Sequence, residues 1–214
     1  MENDGKGLFY GAIGVATLIV AIIGATFAYF TAAASNNNTI TGTAAQAGLN
    51  LSVSIVSTDA NSKPMVPQLT STLQTAMAGT SNKPCVDGNG NAVCQIYSIT
   101  INNTGTSASV LYGSIGFVFT GQSAKFDNLH WSKVDSATAL GTGFSSSTLA
   151  KTAVSQGNLV NVTLQASGTA TYYIVVWISE ENTPQNTSDT GTFTGTVSFN
   201  SADGSGVTST FIGS

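Results

Sequence analysis

Thr171 to Ser179 reads TYYIVVWIS, and its apolar residues fall at both parities. Side chains alternate between the two faces of a strand, so a run apolar at every position must be covered on both sides. It is the expected central strand of a sheet, with Trp177 inside the core.

Outward from it, the hydrophobic period is two. Asn50 to Ser57 (NLSVSIVS) alternates Leu51, Val53 and Ile55 with serines. Gln95 to Asn102 (QIYSITIN) puts Tyr97, Ile99 and Ile101 on one face, and Leu111 to Thr120 does the same with Ile115, Phe117 and Phe119. Leu159 to Gln165 aligns Val160, Val162 and Leu164, and Thr192 to Asn200 aligns Phe193, Gly195, Val197 and Phe199. His130 to Val134 and Val207 to Ile212 are two shorter candidates. Seven or eight such strands, separated by Gly, Asn and Ser turns, define an all-β sandwich. One segment departs from it. Between Lys63 and Gly79, Met65, Leu69, Leu73 and Met77 recur every four residues, with Pro67 near the start and Gly79 at the end. That spacing predicts one short amphipathic helix whose stripe faces the core.

Ahead of the sandwich, Leu8 to Ala34 carries no charge. Leu8 to Phe30 would span about 35 Å as a helix at ~1.5 Å per residue, enough to cross a bilayer core. It lacks a polar face, so it is expected to reach a membrane. It reads either as a permanent anchor or as a secretory signal cut after Thr26-Phe27-Ala28, leaving Tyr29 first. Length fits the anchor and the small-x-small site fits cleavage; cleavage is the preferred reading. Glu2 and Asp4 beside Lys6 give little positive-inside bias. The expected organisation is thus 1–28 signal peptide or anchor helix, 29–48 extended linker or donor segment, and 49–214 β-sandwich.

Composition narrows the partners. Only 7% of residues are charged and the net charge is −4, against about 25% charged in typical soluble domains. Six Lys and Arg spread along the chain make no basic patch, so nucleic acid is not an expected partner. A neutral hydroxyl and amide surface suits packing against copies of the same chain.

Cys85 and Cys94 bracket CVDGNGNAVC, whose DGNGN is turn chemistry. Two cysteines around a tight turn in an exported chain are expected to form a disulfide. A zinc pair would need more ligands, and the one histidine, His130, lies far off in sequence. Asp87, Asn89 and Asn91 alternate as the start of an oxygen-ligand calcium loop, but Ala92 stands at its sixth position and Ser98 at its twelfth. They are weak metal candidates, and a plain turn closed by the disulfide is favoured.

Catalytic motifs are missing. There is no HExxH and no GxSxG. His130 reads as a packed or surface residue beside Trp131. Glu180 and Glu181 are adjacent at a strand end, so they point to opposite faces. No catalytic residues, no cofactor and no enzymatic activity are expected.

Three stretches carry a family resemblance. GATFAYFT (Gly24 to Thr31) resembles the signal-peptide end of the TasA and camelysin family of Gram-positive biofilm-matrix fibre proteins. YSITINNTG (Tyr97 to Gly105) is similar to that family's early strand ending in an Asn-x-Gly turn. Tyr173 to Phe199, with Asn182 and Gln185 before a closing FTGTVSF, resembles its last hairpin. The resemblance implies export, trimming by a dedicated signal peptidase and a jelly-roll sandwich. The chain departs from the family in its non-basic n-region, its scarcity of charges and its cysteine loop.

The expected fold is therefore an antiparallel β-sandwich of jelly-roll or Ig-like type with one short helix, preceded by an N-terminal hydrophobic helix. The expected function is a self-associating extracellular or cell-surface fibre subunit, with the membrane as a partner through that helix. Two alternatives stand beside it. One is a type IV pilin-like subunit cut after Gly7, although Ala12 stands where such pilins usually carry Glu. The other is a membrane-anchored, adhesin-like module with Trp131, Trp177 and tyrosines as stacking residues. Sequencing the mature N-terminus separates them: Tyr29 is expected for the fibre subunit, whereas Leu8 would mark the pilin and Met1 or Glu2 the anchor.

Overall fold

The computed structural model describes residues 48–61, 63–79, 83–121, 126–140, 148–180, 191–202 and 206–213. The N-terminal hydrophobic helix, the Ala28–Tyr29 cleavage site and the linker ahead of Gly48 lie outside these residues.

Among the described residues, nine strands form two antiparallel sheets. They are β1 (Leu49–Ile55), β2 (Gln95–Asn103), β3 (Ser109–Gly121), β4 (Leu129–Val134), β5 (Thr148–Leu149), β6 (Val160–Leu164), β7 (Thr169–Ile178), β8 (Gly191–Ser201) and β9 (Gly206–Gly213). The first sheet runs β1–β2–β7–β4–β5 and the second β6–β3–β8–β9. The strands read from the period of two are all present. β5 leaves no mark in the sequence pattern, since two residues carry no period.

Inward-facing rows match the alternation in the sequence. Val53, Ile99 and Tyr172 stand in register across β1, β2 and β7. Facing them, Phe117, Gly195 and Phe211 stand in register across β3, β8 and β9. The Phe211 ring lies 4.1 Å from that of Tyr97, joining the two sheets, and meets Phe117 edge-on at 6.0 Å. A Cβ on Gly195 would sit 2.1 Å from the Phe211 ring. Glycine is required there because the tip of the Phe211 ring occupies the space a side chain would need.

β7 occupies the middle of its sheet and is covered twice. Ile174 and Val176 face the second sheet, while Val175 and Trp177 take the other face, and all four are fully buried. The second covering comes from the excursion between β1 and β2. It holds helix α1 (Thr58–Asn61), a 3-10 turn (Thr70–Thr72) and helix α2 (Leu73–Ala78). Gln68 donates its N–H to the Ile178 carbonyl at 2.8 Å and accepts from the Glu180 N–H at 3.1 Å. The Trp177 indole N–H donates to Thr70 Oγ1 at 3.3 Å. Gln74 reaches the β4–β5 connection, donating to the Thr138 carbonyl at 2.7 Å and accepting from the Leu140 N–H at 2.8 Å.

The single helix expected over Lys63 to Gly79 is corrected here. Only Leu73–Ala78 is α-helical. Met65 lies in an extended bridge with Ala92, and Leu69 is exposed. Pro64 and Pro67 supply no N–H, and the Val66 N–H is engaged by the Ala92 carbonyl at 2.8 Å. Backbone pairing to the excursion's own end outweighs the four-residue spacing. Met65, Leu73 and Met77 are nonetheless fully buried, as the stripe predicts.

Trp177 has no exposed surface. Trp177→Ala should cost ~3–5 kcal/mol as a large-to-small core change, read as a large fall in melting temperature; an unchanged melting curve would overturn this packing.

Candidate functional site

The disulfide-closed turn is built from the residues that the sequence singles out. Cys85 and Cys94 are bonded and both fully buried, nine positions apart. Between them Asp87 organises the loop. Its Oδ1 accepts the N–H groups of Asn89 at 2.9 Å and Asn91 at 2.8 Å, and its Oδ2 accepts the Asn91 side-chain amide at 3.0 Å. The Asp87 N–H returns to the Asn91 carbonyl at 3.0 Å. Slight burial raises the Asp87 pKa, but hydrogen bonds from Asn91, Asn89 and Gly90 outweigh it and hold the carboxyl below its ordinary range. The Lys63 ammonium donates to the Gly90 carbonyl, tying the turn to the start of the excursion.

Both Asp87 oxygens are thus spent on the loop's own donors. The D-x-N-x-N spacing serves as an Asx-type turn. Among the described residues, no three His, Cys, Asp or Glu side chains gather as a metal cage.

The remaining residues singled out by sequence are scattered. His130 is half-buried with its ring 5.7 Å from that of Trp177, opposite it in the β4–β7 register, rather than beside Trp131. Trp131 faces inward, 6.5 Å from Phe117. Both tryptophans are therefore core residues, with Trp131 only 5% exposed, and neither offers a face for ligand stacking. Asn103, in the Asn-x-Gly turn, is buried and binds three carbonyls, those of Ser107, Leu164 and Gln165, while its Oδ1 accepts the Gly105 N–H. It pins the β2–β3 turn to the end of β6.

Sheet edges are the other feature with chemical potential. β5 has two residues and β6 five. Beside β6, the Asn158 side chain continues the edge: its Oδ1 accepts the Ile115 N–H at 2.8 Å and its amide donates to the Ile115 carbonyl at 2.9 Å. β1 and β9, with seven and eight residues, are the long edges and lie next to each other across the sandwich. Neither contains a charge or a proline. The Tyr97 hydroxyl, from the core, lies 3.3 Å from the Ile212 carbonyl on β9.

No family model matches the chain, and no curated protein matches it. Among solved structures, a FixG-related protein from Vibrio parahaemolyticus is 9% identical with a TM-score of 0.30, over 78% of this chain and 98% of that one. A family 123 glycoside hydrolase from Clostridium perfringens is 12% identical with a TM-score of 0.32, over 76% of this chain and 26% of the enzyme. Likenesses this slight carry no statement about function.

Non-reduced peptide mapping should recover Cys85 and Cys94 as one linked species, and full alkylation of both thiols without reductant would refute the bond. Replacing both by Ala should cost ~2–3 kcal/mol, because the closed loop is short.

Proposed function

We propose that this protein is an exported structural subunit that associates with copies of itself at the cell surface or in the extracellular matrix, in the manner of TasA-like fibre proteins. The observation that carries the reading is the pair of long edges. Natural sandwiches shield such edges with charge, proline, bulges or short strands. β5 and β6 conform, whereas β1 and β9 carry none of these devices and have only each other alongside.

Directly ahead of β1, Tyr29 to Gln46 (YFTAAASNNNTITGTAAQ) has neither charge nor proline. Such an arm suits strand addition to a neighbour, because its backbone N–H and C=O groups can complete an exposed sheet edge. The buried disulfide fits export to an oxidising compartment. The hydrophobic segment serves as the membrane address before trimming after Ala28. The proposal assigns no enzymatic activity.

Within the sandwich class, the Ig-like arrangement is the better description. The neighbours β1–β2, β4–β5 and β8–β9 are consecutive in sequence, and β2–β7 sits opposite β3–β8–β9 as strands B–E sit opposite C–F–G in that fold.

Deleting Tyr29 to Thr43 from the mature protein tests the reading. The full mature form should lengthen into filaments visible by negative-stain microscopy, and the shortened form should stay folded and monomeric. Filaments that form equally well without the arm would overturn the strand-addition mechanism. A full mature form that remains monomeric at high concentration would overturn the function.

A further inference from the structure

We propose that the outer face of the second sheet, β6–β3–β8–β9, is a second contact surface through which two copies of this chain pack sheet against sheet. The inference rests on the self-association reading above and names a surface distinct from the strand edges.

Charge is unevenly distributed. The described charged residues are Asp59, Lys63, Lys83, Asp87, Asp127, Lys133, Asp135, Lys151 and Glu180. They lie on the excursion, around β4 and β5, and at the end of β7. β3, β6, β8 and β9 carry none. Two copies of the mature chain, net charge −3 once Glu2, Asp4 and Lys6 are removed, repel. This face lets them meet without stripping water from an ion or opposing like charges.

The same face also carries exposed apolar surface. Val118, Thr194 and Ile212 stand in one row across β3, β8 and β9, and Gly116, Thr196 and Thr210 in the next. Val118 is 64% exposed and Ile212 50%. Val110 is exposed on the same face, and Val154 lies over it, within 2.4 Å of where a Gly116 Cβ would be. These are four of the six large exposed hydrophobics among the described residues. Thr120, Thr192 and Thr208 extend the patch with β-branched methyls.

The outer face of the first sheet differs. Over β1, β2 and β7 it is also uncharged, and its polar groups pair with one another, as Thr208 pairs with Ser198 at 3.2 Å on the second sheet. Ser54 meets Ser98 at 2.8 Å, Thr100 meets Thr171 at 3.1 Å, and Thr169 donates to Asn102 at 2.6 Å. Over these three strands there is no large exposed hydrophobic among the described residues; Leu149, opposite His130 on β5, stands at the far edge of this sheet.

Size also fits a second copy. With strands ~4.8 Å apart and ~3.3 Å per residue, the second sheet presents roughly 600 Å². A stable pair buries about 800 Å² of accessible surface per partner, so a footprint of this size, with Val154 covering Gly116 and offering its own exposed side chain, supplies a large share of one interface.

The test uses the full mature protein, with association read by sedimentation velocity and folding by melting temperature. Val118→Lys and, separately, Thr194→Lys place one charge in the row; Thr171→Lys places the same charge on the first sheet's outer face, on the interior strand β7 and away from both long edges. Wild type and Thr171→Lys should associate, no more weakly when salt is raised, while both second-sheet variants fold normally and lose at least tenfold in association constant. Association by Val118→Lys and Thr194→Lys at the wild-type level would overturn this surface and leave self-association standing. A wild-type chain that stays monomeric would instead overturn the reading beneath it. If Val118→Lys fails to fold, the Thr194→Lys result decides alone.

Discussion

The structure depends on the double burial of β7. A strand whose two faces are both apolar cannot lie on the surface of a two-layer sandwich, because one face would stay in water. The second sheet covers Ile174 and Val176. A separate covering has to be supplied for Val175 and Trp177, and the chain makes it from the stretch between β1 and β2. That excursion has little regular structure of its own. It is held by what it touches: the Gln68 backbone against Ile178 and Glu180, Thr70 under the Trp177 indole, Gln74 at the β4–β5 connection, and the cystine at its far end.

This arrangement explains which features were legible in the sequence. Alternation disclosed the strands because each sheet keeps one face in the core, so Tyr97–Ile99–Ile101 and Phe193–Val197–Phe199 read cleanly. The TYYIVVWIS run disclosed that two coverings exist. It could not say what the second one was, since period two carries no information about the partner. The excursion itself has the spacing of one helix and is not one. Its apolar residues fall four apart, but Met65 is buried by bridging to Ala92 and Leu73 by a helical turn, two different routes to the same core.

The candidate sites divide in the same way. The cystine could be read from two cysteines around a turn, because that relation is local. Asp87 could be picked out by its spacing from Asn89 and Asn91, while its role emerged only from the donors that its oxygens accept. The uncharged outer face of the second sheet could not be seen from the chain at all. β3, β6, β8 and β9 are dispersed between Ser109 and Gly213, and their shared neutrality acquires meaning only when strand order places them side by side.

The route by which the chain acquires this shape follows from sequence distance. Cys85 and Cys94 are nine residues apart, so that ring can close within a local search, before any sheet exists. β2 must instead find β7 across the whole of β3 to β6, as with Tyr97 and Ile174. Such non-local pairing is slow. Until that pairing is made Trp177 has nowhere to dock, because β7 has no sheet to lie in and the excursion has nothing to cover. Burial of Trp177 is thus a late event, timed by the β2–β7 pairing and not by the local meeting of the two cysteines.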